Sequence, residues 1–174
     1  MNENKNSNEE MRGVVVVGID GSASAAAALR WSAAEAQLRG SRLLVVHAWT
    51  PVYTDVLLGG GFSPSRANGS EMHNAAEELL VRATAGLDGD GVEIECRAVE
   101  GNAPEVLIAA AAEGDLLVVG SRGHGGFTGL LLGSVSQQCA RRADCPVVIV
   151  HAPKPAATSP EPGEAAPMQR RAAA

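Results

Sequence analysis

Five short apolar runs, separated by longer stretches with helical spacing, set the pattern of this chain. The first run reads GVVVVGID from Gly13 to Asp20, and its four consecutive valines indicate a strand buried on both faces. The run at residues 92–99 alternates apolar and polar positions, which is typical of a strand at the edge of a sheet. The predicted strands span residues 13–20, 41–49, 92–99, 115–120 and 147–150.

Four helices are predicted between these strands. In the first, Ser22 is an N-cap residue and Gly40 stands at the C-terminal cap. Its apolar residues step by four, three and four positions and predict the face that packs on the sheet: Ala27, Trp31, Ala34 and Leu38. The other helices are predicted at residues 71–87, 103–113 and 133–143.

This alternation of strands and helices predicts an α/β fold with one open, five-stranded parallel sheet and helices on both faces. Ligands of such sheets bind outside the carboxyl ends of the strands, where the strand order reverses. Asp20 ends the first strand and Gly120 ends the fourth. If these two strands are neighbours across the reversal, the acidic turn at Asp20 and the segment after Gly120 meet in one cleft.

Composition and charge predict one domain that has no nucleic-acid or membrane partner. The chain has 174 residues, of which 45% are hydrophobic and 3% aromatic, so Val, Leu, Ile and Ala must build its core. The formal net charge of −6 and the lack of a basic block disfavour non-specific binding to nucleic acid. No apolar run reaches the roughly 20 residues that cross a bilayer.

The two ends and the cysteines predict a cytoplasmic protein with one ordered domain. Residues 1–11 are polar and carry no apolar core of a secretory signal, so we expect a disordered leader. Residues 152–174 are rich in Pro and Ala and are expected to form a disordered tail, which leaves residues 12–151 as the domain. The three cysteines are expected to be small buried thiols in a reducing compartment: Cys96, Cys139 and Cys145.

The glycine segment, residues 120–133, is the main candidate for chemistry. It follows a predicted strand and has the spacing Gly-x2-Gly-x9-Gly-Ser, with Gly123 and Gly133 between Gly120 and Ser134. Backbone N–H groups of such a segment, together with a helix N-terminus, can converge on a phosphate. The pattern therefore predicts an anion cradle.

Basic and imidazole side chains near the cradle have two interpretations each. Arg122 and His124 flank Gly123, and either could contact a phosphate or a metal-bound water; solvent exposure is the favoured alternative for His124. His47 ends a buried strand and is expected to be a core histidine, with a ligand role as the alternative.

Three motifs are missing from the sequence, those of phosphoryl transfer, of dinucleotide-binding enzymes and of serine hydrolases. It contains no GxxxxGK[ST] lysine loop, no GxGxxG after the first strand and no GxSxG elbow. No residue stands out as a general base for an attacking water. The segment is therefore expected to hold a nucleotide rather than to consume it quickly.

The glycine spacing, the opening VVVVGIDGS, the strand LLVVHAW, the segment EGNAPEVL and the closing CPVVIV together resemble the ATP-binding members of the universal stress protein family. The resemblance covers residues 12–150. It implies a doubly wound sheet of the adenine-nucleotide alpha hydrolase type, with strand order 3-2-1-4-5. It also implies ATP, with Mg²⁺, bound by a sensor or regulator of the stress response, and homodimers through the strand Pro146–Val150.

The resemblance further implies which residues bind. Asp20, with Ile19 beside it, contacts the ribose or adenine side, and Ala48 and Val119 line the adenine pocket. The glycines let the backbone approach the phosphates, and the helix start supplies N–H and hydroxyl groups. With Arg122 added, the predicted site contains no catalytic or metal-ligating residue and comprises Ile19, Asp20, Ala48, Val119, Gly120, Arg122, Gly123, Gly133, Ser134, Val135 and Ser136.

Charge predicts how a nucleotide lies in this site. A carboxylate accepts hydrogen bonds from ribose hydroxyls and repels phosphates. Asp20 is therefore expected at the sugar end, and Gly133 with Ser134 at the phosphate end.

Two other functions remain open from the sequence. The same cleft could serve a nucleotide-dependent hydrolase or transferase, which a single-turnover ATPase assay would distinguish from a slow switch. Alternatively, the chain could be an interaction protein that no longer binds a ligand, although the intact glycine spacing argues against this.

Overall fold

The computed structural model describes residues 13–51, 68–87, 91–123 and 131–153. The predicted leader, the predicted tail beyond residue 153 and His124 lie outside these ranges.

The described strands form a five-stranded parallel sheet in the order β3-β2-β1-β4-β5, which confirms the predicted fold and strand order. The strands are β1 Val14–Gly18, β2 Arg42–Trp49, β3 Ile94–Glu100, β4 Leu116–Gly120 and β5 Val147–Val150. The helices are α1 Ala23–Arg39, α2 Asn68–Thr84, α3 Ala103–Ala111 and α4 Ser134–Arg142. Within the described ranges, no helix combines the length and apolarity that a membrane span requires.

Two apolar layers enclose the sheet, one on each face. Side chains of β1 alternate between them: Val15 and Val17 belong to one cluster, whereas Val14 and Val16 belong to the other. Helices α1 and α2 cover the first layer, and α3 and α4 cover the second. The central strands are therefore buried on both faces, as their continuous apolar runs predict.

Helix α1 packs on the sheet through its small residues. Its buried face consists of Ser24, Ala25, Ala27, Ala28, Leu29, Ser32, Ala33 and Ala36. The predicted stripe was right for Ala27 and wrong for its other three residues: Trp31 is 37% exposed, Leu38 is 83% exposed, and Ala34 is exposed as well. Apart from Leu29, the buried residues have short side chains, which let the helix lie close to the sheet, and Trp31 and Leu38 lie on its outer side.

The ends of α1 confirm the predicted caps. The Ser22 hydroxyl accepts a hydrogen bond from the Ala25 N–H at 3.2 Å. Gly40 has a φ of 64°, in the left-handed region, and its N–H bonds the carbonyls of Ala36 and Gln37. The turn that carries Asp20 is thus joined directly to a well-capped helix start.

The cysteines differ in their burial. Cys139 on α4 is buried, and this burial raises the pKa of its thiol; Cys145 is half-buried. The expectation of a buried thiol was wrong for Cys96, which is exposed and lies on β3, a strand at the edge of the described sheet. That position confirms β3 as the edge strand indicated by its alternating pattern.

Candidate functional site

A cavity of about 420 Å³ opens at the carboxyl ends of β1 and β4, where the strand order reverses. Small-molecule sites typically have volumes of about 300–1,000 Å³. All eleven residues of the predicted site line this cavity: Ile19, Asp20, Ala48, Val119, Gly120, Arg122, Gly123, Gly133, Ser134, Val135 and Ser136. The structure brings them together, while their contacts with a ligand stay a prediction.

One wall of the cavity is apolar. Ile19 and Val119 are buried at the ends of adjacent strands, and Leu107 of α3 covers β1 from the side of the second layer. Leu107 packs so closely on Gly18 that a Cβ at this glycine would lie 2.6 Å from Leu107 Cδ1. This wall excludes water and offers a surface on which an aromatic ring can pack.

Six lining residues were missed by the sequence prediction: Gly18, Ala25, Val46, Ala103, Leu107 and Leu132. Val46 lies two positions before Ala48 on β2, so the alternation of side chains along a strand could have identified it. Leu107 lies on the inner face of α3, and assigning this helix to the cavity side of the sheet would have identified it. No pattern in the sequence singles out Leu132.

Asp20 lies at the junction between the apolar wall and the glycine segment. Its Oδ1 accepts a hydrogen bond from the Ser22 N–H at 2.9 Å, which fixes the turn between β1 and α1. Its other carboxylate oxygen lies against Gly123, where a Cβ would overlap with it. Asp20 therefore borders the glycine segment directly, and Gly123 connects the acidic end of the cavity to the cradle.

The three glycines of the predicted motif differ in the space that surrounds them. At Gly120 a Cβ would lie 2.7 Å from Ser24 Oγ and 2.8 Å from the Ala25 nitrogen, so this glycine makes room for the start of α1. Gly123 makes room for the Asp20 carboxylate. At Gly133 the nearest atom to a Cβ would be 3.5 Å away, an ordinary contact distance.

Helix α4 begins with an open N-terminus at the cavity. Its cap residue, Gly133, has no side chain that could bond the first N–H groups, and the Gly133 N–H donates to the Ser121 carbonyl at 2.8 Å. Ser134 and Val135 therefore present backbone N–H groups, the positive end of the helix dipole, to the cavity.

The hydroxyl of Ser136 has a different role from the predicted one. It is buried and donates to the carbonyls of Ser121 and Gly133, at 3.1 and 2.9 Å. A hydroxyl has one proton to donate, so this group stabilises the helix start and is not available as a donor to a ligand. Of the predicted N–H and hydroxyl groups at Ser136, the backbone N–H is the one consistent with the cradle.

Two further polar groups are held by the scaffold. The Arg122 carbonyl accepts a hydrogen bond from the Ser24 hydroxyl, and Ser22 Oγ lies 3.3 Å from the same oxygen. His47 is half-buried, and its Nδ1 lies 2.8 Å from the Ile19 carbonyl, a contact that ties β2 to the end of β1. Among the described residues, no group of three or more His, Cys, Asp and Glu side chains could hold a metal ion.

The sequence of this chain is similar to those of known proteins. Residues 11–151 match the sequence profile of the universal stress protein family. The universal stress protein Rv2623 of Mycobacterium tuberculosis is 36% identical over 140 residues, which are 79% of this chain and 47% of that protein. The chain thus spans about half the length of such mycobacterial relatives.

Two solved structures are similar to about four fifths of this chain. A universal stress protein in complex with cAMP has a TM-score of 0.59 and 31% identity, over 81% of this chain and 98% of that chain. The universal stress protein from Archaeoglobus fulgidus in complex with dAMP has a TM-score of 0.58 and 27% identity, over 80% of this chain and 98% of that chain.

Proposed function

This chain belongs to the universal stress protein family, and from that premise we propose that its cavity binds an adenine nucleotide, ATP with Mg²⁺ in particular. The protein acts as a nucleotide-dependent sensor or regulator in the stress response, with at most slow ATP hydrolysis. The family membership carries the regulatory part of this proposal, and the cavity carries the nucleotide.

One observation supports the nucleotide most directly: an apolar wall and an anion cradle meet in the same cavity. An adenine ring needs the first and a phosphate chain needs the second. The similar structures in complex with cAMP and with dAMP support the adenine base, because both compounds contain it.

The residues fit such a ligand from end to end. The apolar wall with Ile19 and Val119 suits the base, and the half-buried Asp20 carboxylate suits the ribose hydroxyls. The uncapped N-terminus of α4 suits the phosphates. Mg²⁺ would then be bound mainly through phosphate oxygens and water, as is usual for this ion.

Slow ATP hydrolysis is expected from the ionisable side chains that line the cavity. Within the described part of the chain, the ionisable side chains that line the cavity are Asp20 and Arg122. The Asp20 carboxylate accepts the Ser22 N–H and is proposed to hold the sugar, so it is not placed to activate a water. Arg122 is exposed and contributes positive charge, not a base.

Replacing Asp20 by alanine is expected to weaken ATP binding. Charge-assisted hydrogen bonds contribute about 1.5–3 kcal/mol, which corresponds to an affinity loss of about 10- to 100-fold. Isothermal titration of the wild type and the variant measures this directly. Asp20→Asn is the matched control, because its amide oxygen can still accept from the Ser22 N–H and preserve the turn. Its affinity should lie between the other two. Equal ATP affinity in all three proteins would place the sugar contact elsewhere.

We also propose that the chain forms homodimers through β5. This strand is at the edge of the described sheet, and all its residues are half-buried. The carbonyls of Pro146 and Val150 accept hydrogen bonds from β4 and the residue that follows it, at 3.0 and 2.7 Å. By alternation, Val147 and Ile149 direct their backbone groups to the open edge, which a second copy can pair with.

Ile149→Pro is expected to convert this homodimer into a monomer. Proline removes an N–H that faces the open edge and leaves the bonds to β4 in place. Ile149→Ala loses a comparable side chain and keeps the N–H, so it should remain dimeric. Size-exclusion chromatography with light scattering measures all three masses. A monomeric wild type would contradict the proposal, and so would the same mass for the two variants.

A further inference from the structure

Ser24 connects two parts of the chain that lie far apart in the sequence. It is the second residue of α1 and only 5% exposed, yet its hydroxyl donates to the backbone carbonyl of Arg122. Gly120 makes this contact possible, because a side chain there would occupy the position of the Ser24 hydroxyl. A buried hydroxyl of α1 thus holds the peptide between Arg122 and Gly123 in the glycine segment.

Because a peptide group is planar and rigid, this contact also sets the direction of the Gly123 N–H. The peptide between Arg122 and Gly123 is trans, so its C=O and N–H point in opposite directions. Because the C=O points to α1, the N–H of Gly123 points away from α1. The start of α4 lies beside this peptide, since a Cβ on Gly133 would be 3.5 Å from Arg122 Cα and 3.8 Å from the Gly123 nitrogen.

We propose that Ser24 is a positioning residue of the phosphate cradle: by holding the Arg122 carbonyl, it directs the Gly123 N–H toward the N-terminus of α4. This N–H then joins the N–H groups of Ser134 and Val135 as a donor to the phosphates. Without the Ser24 hydroxyl, the carbonyl keeps only the longer contact with the Ser22 hydroxyl, at 3.3 Å. The peptide can then rotate more easily and present its carbonyl oxygen, which repels an anion. The inference rests on the proposed function, since it assigns a role within the same site.

Ser24→Ala tests this role, and the chain offers a matched control on the same helix. Ser32 is also a fully buried serine of α1, its hydroxyl has no hydrogen-bond partner within the described residues, and it does not line the cavity. Both variants remove one buried hydroxyl, but only Ser24→Ala removes a hydrogen bond to the Arg122 carbonyl. Isothermal titration compares ATP with adenosine, which lacks phosphates.

Ser24→Ala is expected to weaken ATP binding about three- to tenfold, as the loss of one hydrogen bond does, and to leave adenosine binding unchanged. Ser32→Ala should change neither affinity. An equal loss for ATP and adenosine would indicate a purely structural role and overturn the inference, as would unchanged ATP affinity.

A second measurement separates this inference from the proposed function. The orientation of the Gly123 N–H exists without any ligand, so its amide signal in nuclear magnetic resonance spectra of the free protein should shift in Ser24→Ala and stay in place in Ser32→Ala. A wild type that binds neither ATP nor adenosine would refute the proposed function, and the Gly123 signal would still decide whether Ser24 holds the peptide. An unchanged signal in Ser24→Ala would overturn the inference.

Discussion

Replacing Gly123 by valine is expected to reduce the affinity for ATP about 100-fold or more, since it removes interactions of about 3 kcal/mol. A Cβ at this position overlaps with the Asp20 carboxylate, so the acidic side chain, the glycine backbone or both must move. The substitution therefore disturbs the sugar contact and the cradle at once, which is why its effect should exceed that of Asp20→Ala. Isothermal titration with ATP measures the loss.

The fold should survive this substitution. Gly123 is exposed, and its φ lies outside the left-handed region, so valine meets no backbone strain of its own. Gly86→Val is the matched control, because a Cβ at Gly86 meets nothing within 4 Å and this residue is remote from the cavity. Both variants should melt close to the wild type. Wild-type affinity in Gly123→Val would mean that the nucleotide does not use this junction.

The second large effect is expected in the free energy of unfolding. Gly120→Ala should destabilise the protein by about 3 kcal/mol, the upper part of the usual range for overpacking. Its Cβ would lie 2.7 Å from Ser24 Oγ, 2.8 Å from the Ala25 nitrogen and 2.9 Å from the Ser24 carbonyl carbon. Two of these atoms belong to the backbone of α1, so the strand and the helix must separate to admit one methyl group. Urea denaturation of both proteins measures the difference.

Gly18→Ala provides the comparison for this effect. Its Cβ would come as close as 2.6 Å to a neighbour, but the neighbour is the end of the Leu107 side chain. A leucine side chain can rotate, so the cost should be about 1 kcal/mol, the lower part of the same range. Equal losses of stability in Gly120→Ala and Gly18→Ala would contradict this explanation. The close contact with the α1 backbone would then not determine the cost of a methyl group at Gly120.

The sheet could be predicted from the sequence because its signals are local and strong. Continuous apolar runs, such as the valines from Val14 to Val17, indicate strands covered on both faces. The single alternating run indicated an edge strand, and β3 lies at the edge. The predicted site residues come from the ends of several strands and from one helix start, and parallel strands bring these points to one edge of the sheet.

The orientation of α1 could not be predicted from hydrophobicity. This helix carries so many alanines that apolar residues occur on all its sides, and the largest of them, Trp31 and Leu38, suggested the wrong face. What decides the packing is how closely the helix can approach β1 and β4, and small residues such as Ser24 and Ala28 permit the shortest distance. How closely a helix approaches a sheet depends on both surfaces, so the helix sequence alone carries no periodic signal of it.

The glycine spacing predicted residues that line the cavity, but it did not predict the contacts that each glycine makes. From the sequence, all three glycines were expected to let the backbone approach phosphates. The structure assigns Gly120 to the contact with α1 and Gly123 to the contact with Asp20, while Gly133 tolerates a Cβ at ordinary distances. These differences arise from contacts between residues about 100 positions apart in the chain, such as Ser24 with Arg122, and no local pattern encodes them.

We propose above all that the cavity at the ends of β1 and β4 holds an adenine nucleotide. Isothermal titration of the purified wild-type protein with ATP in the presence of Mg²⁺ tests it most directly. We expect saturable binding of roughly one ATP per chain, as is usual for a cavity of this size. Absence of measurable binding at millimolar concentrations of both ATP and ADP would contradict it.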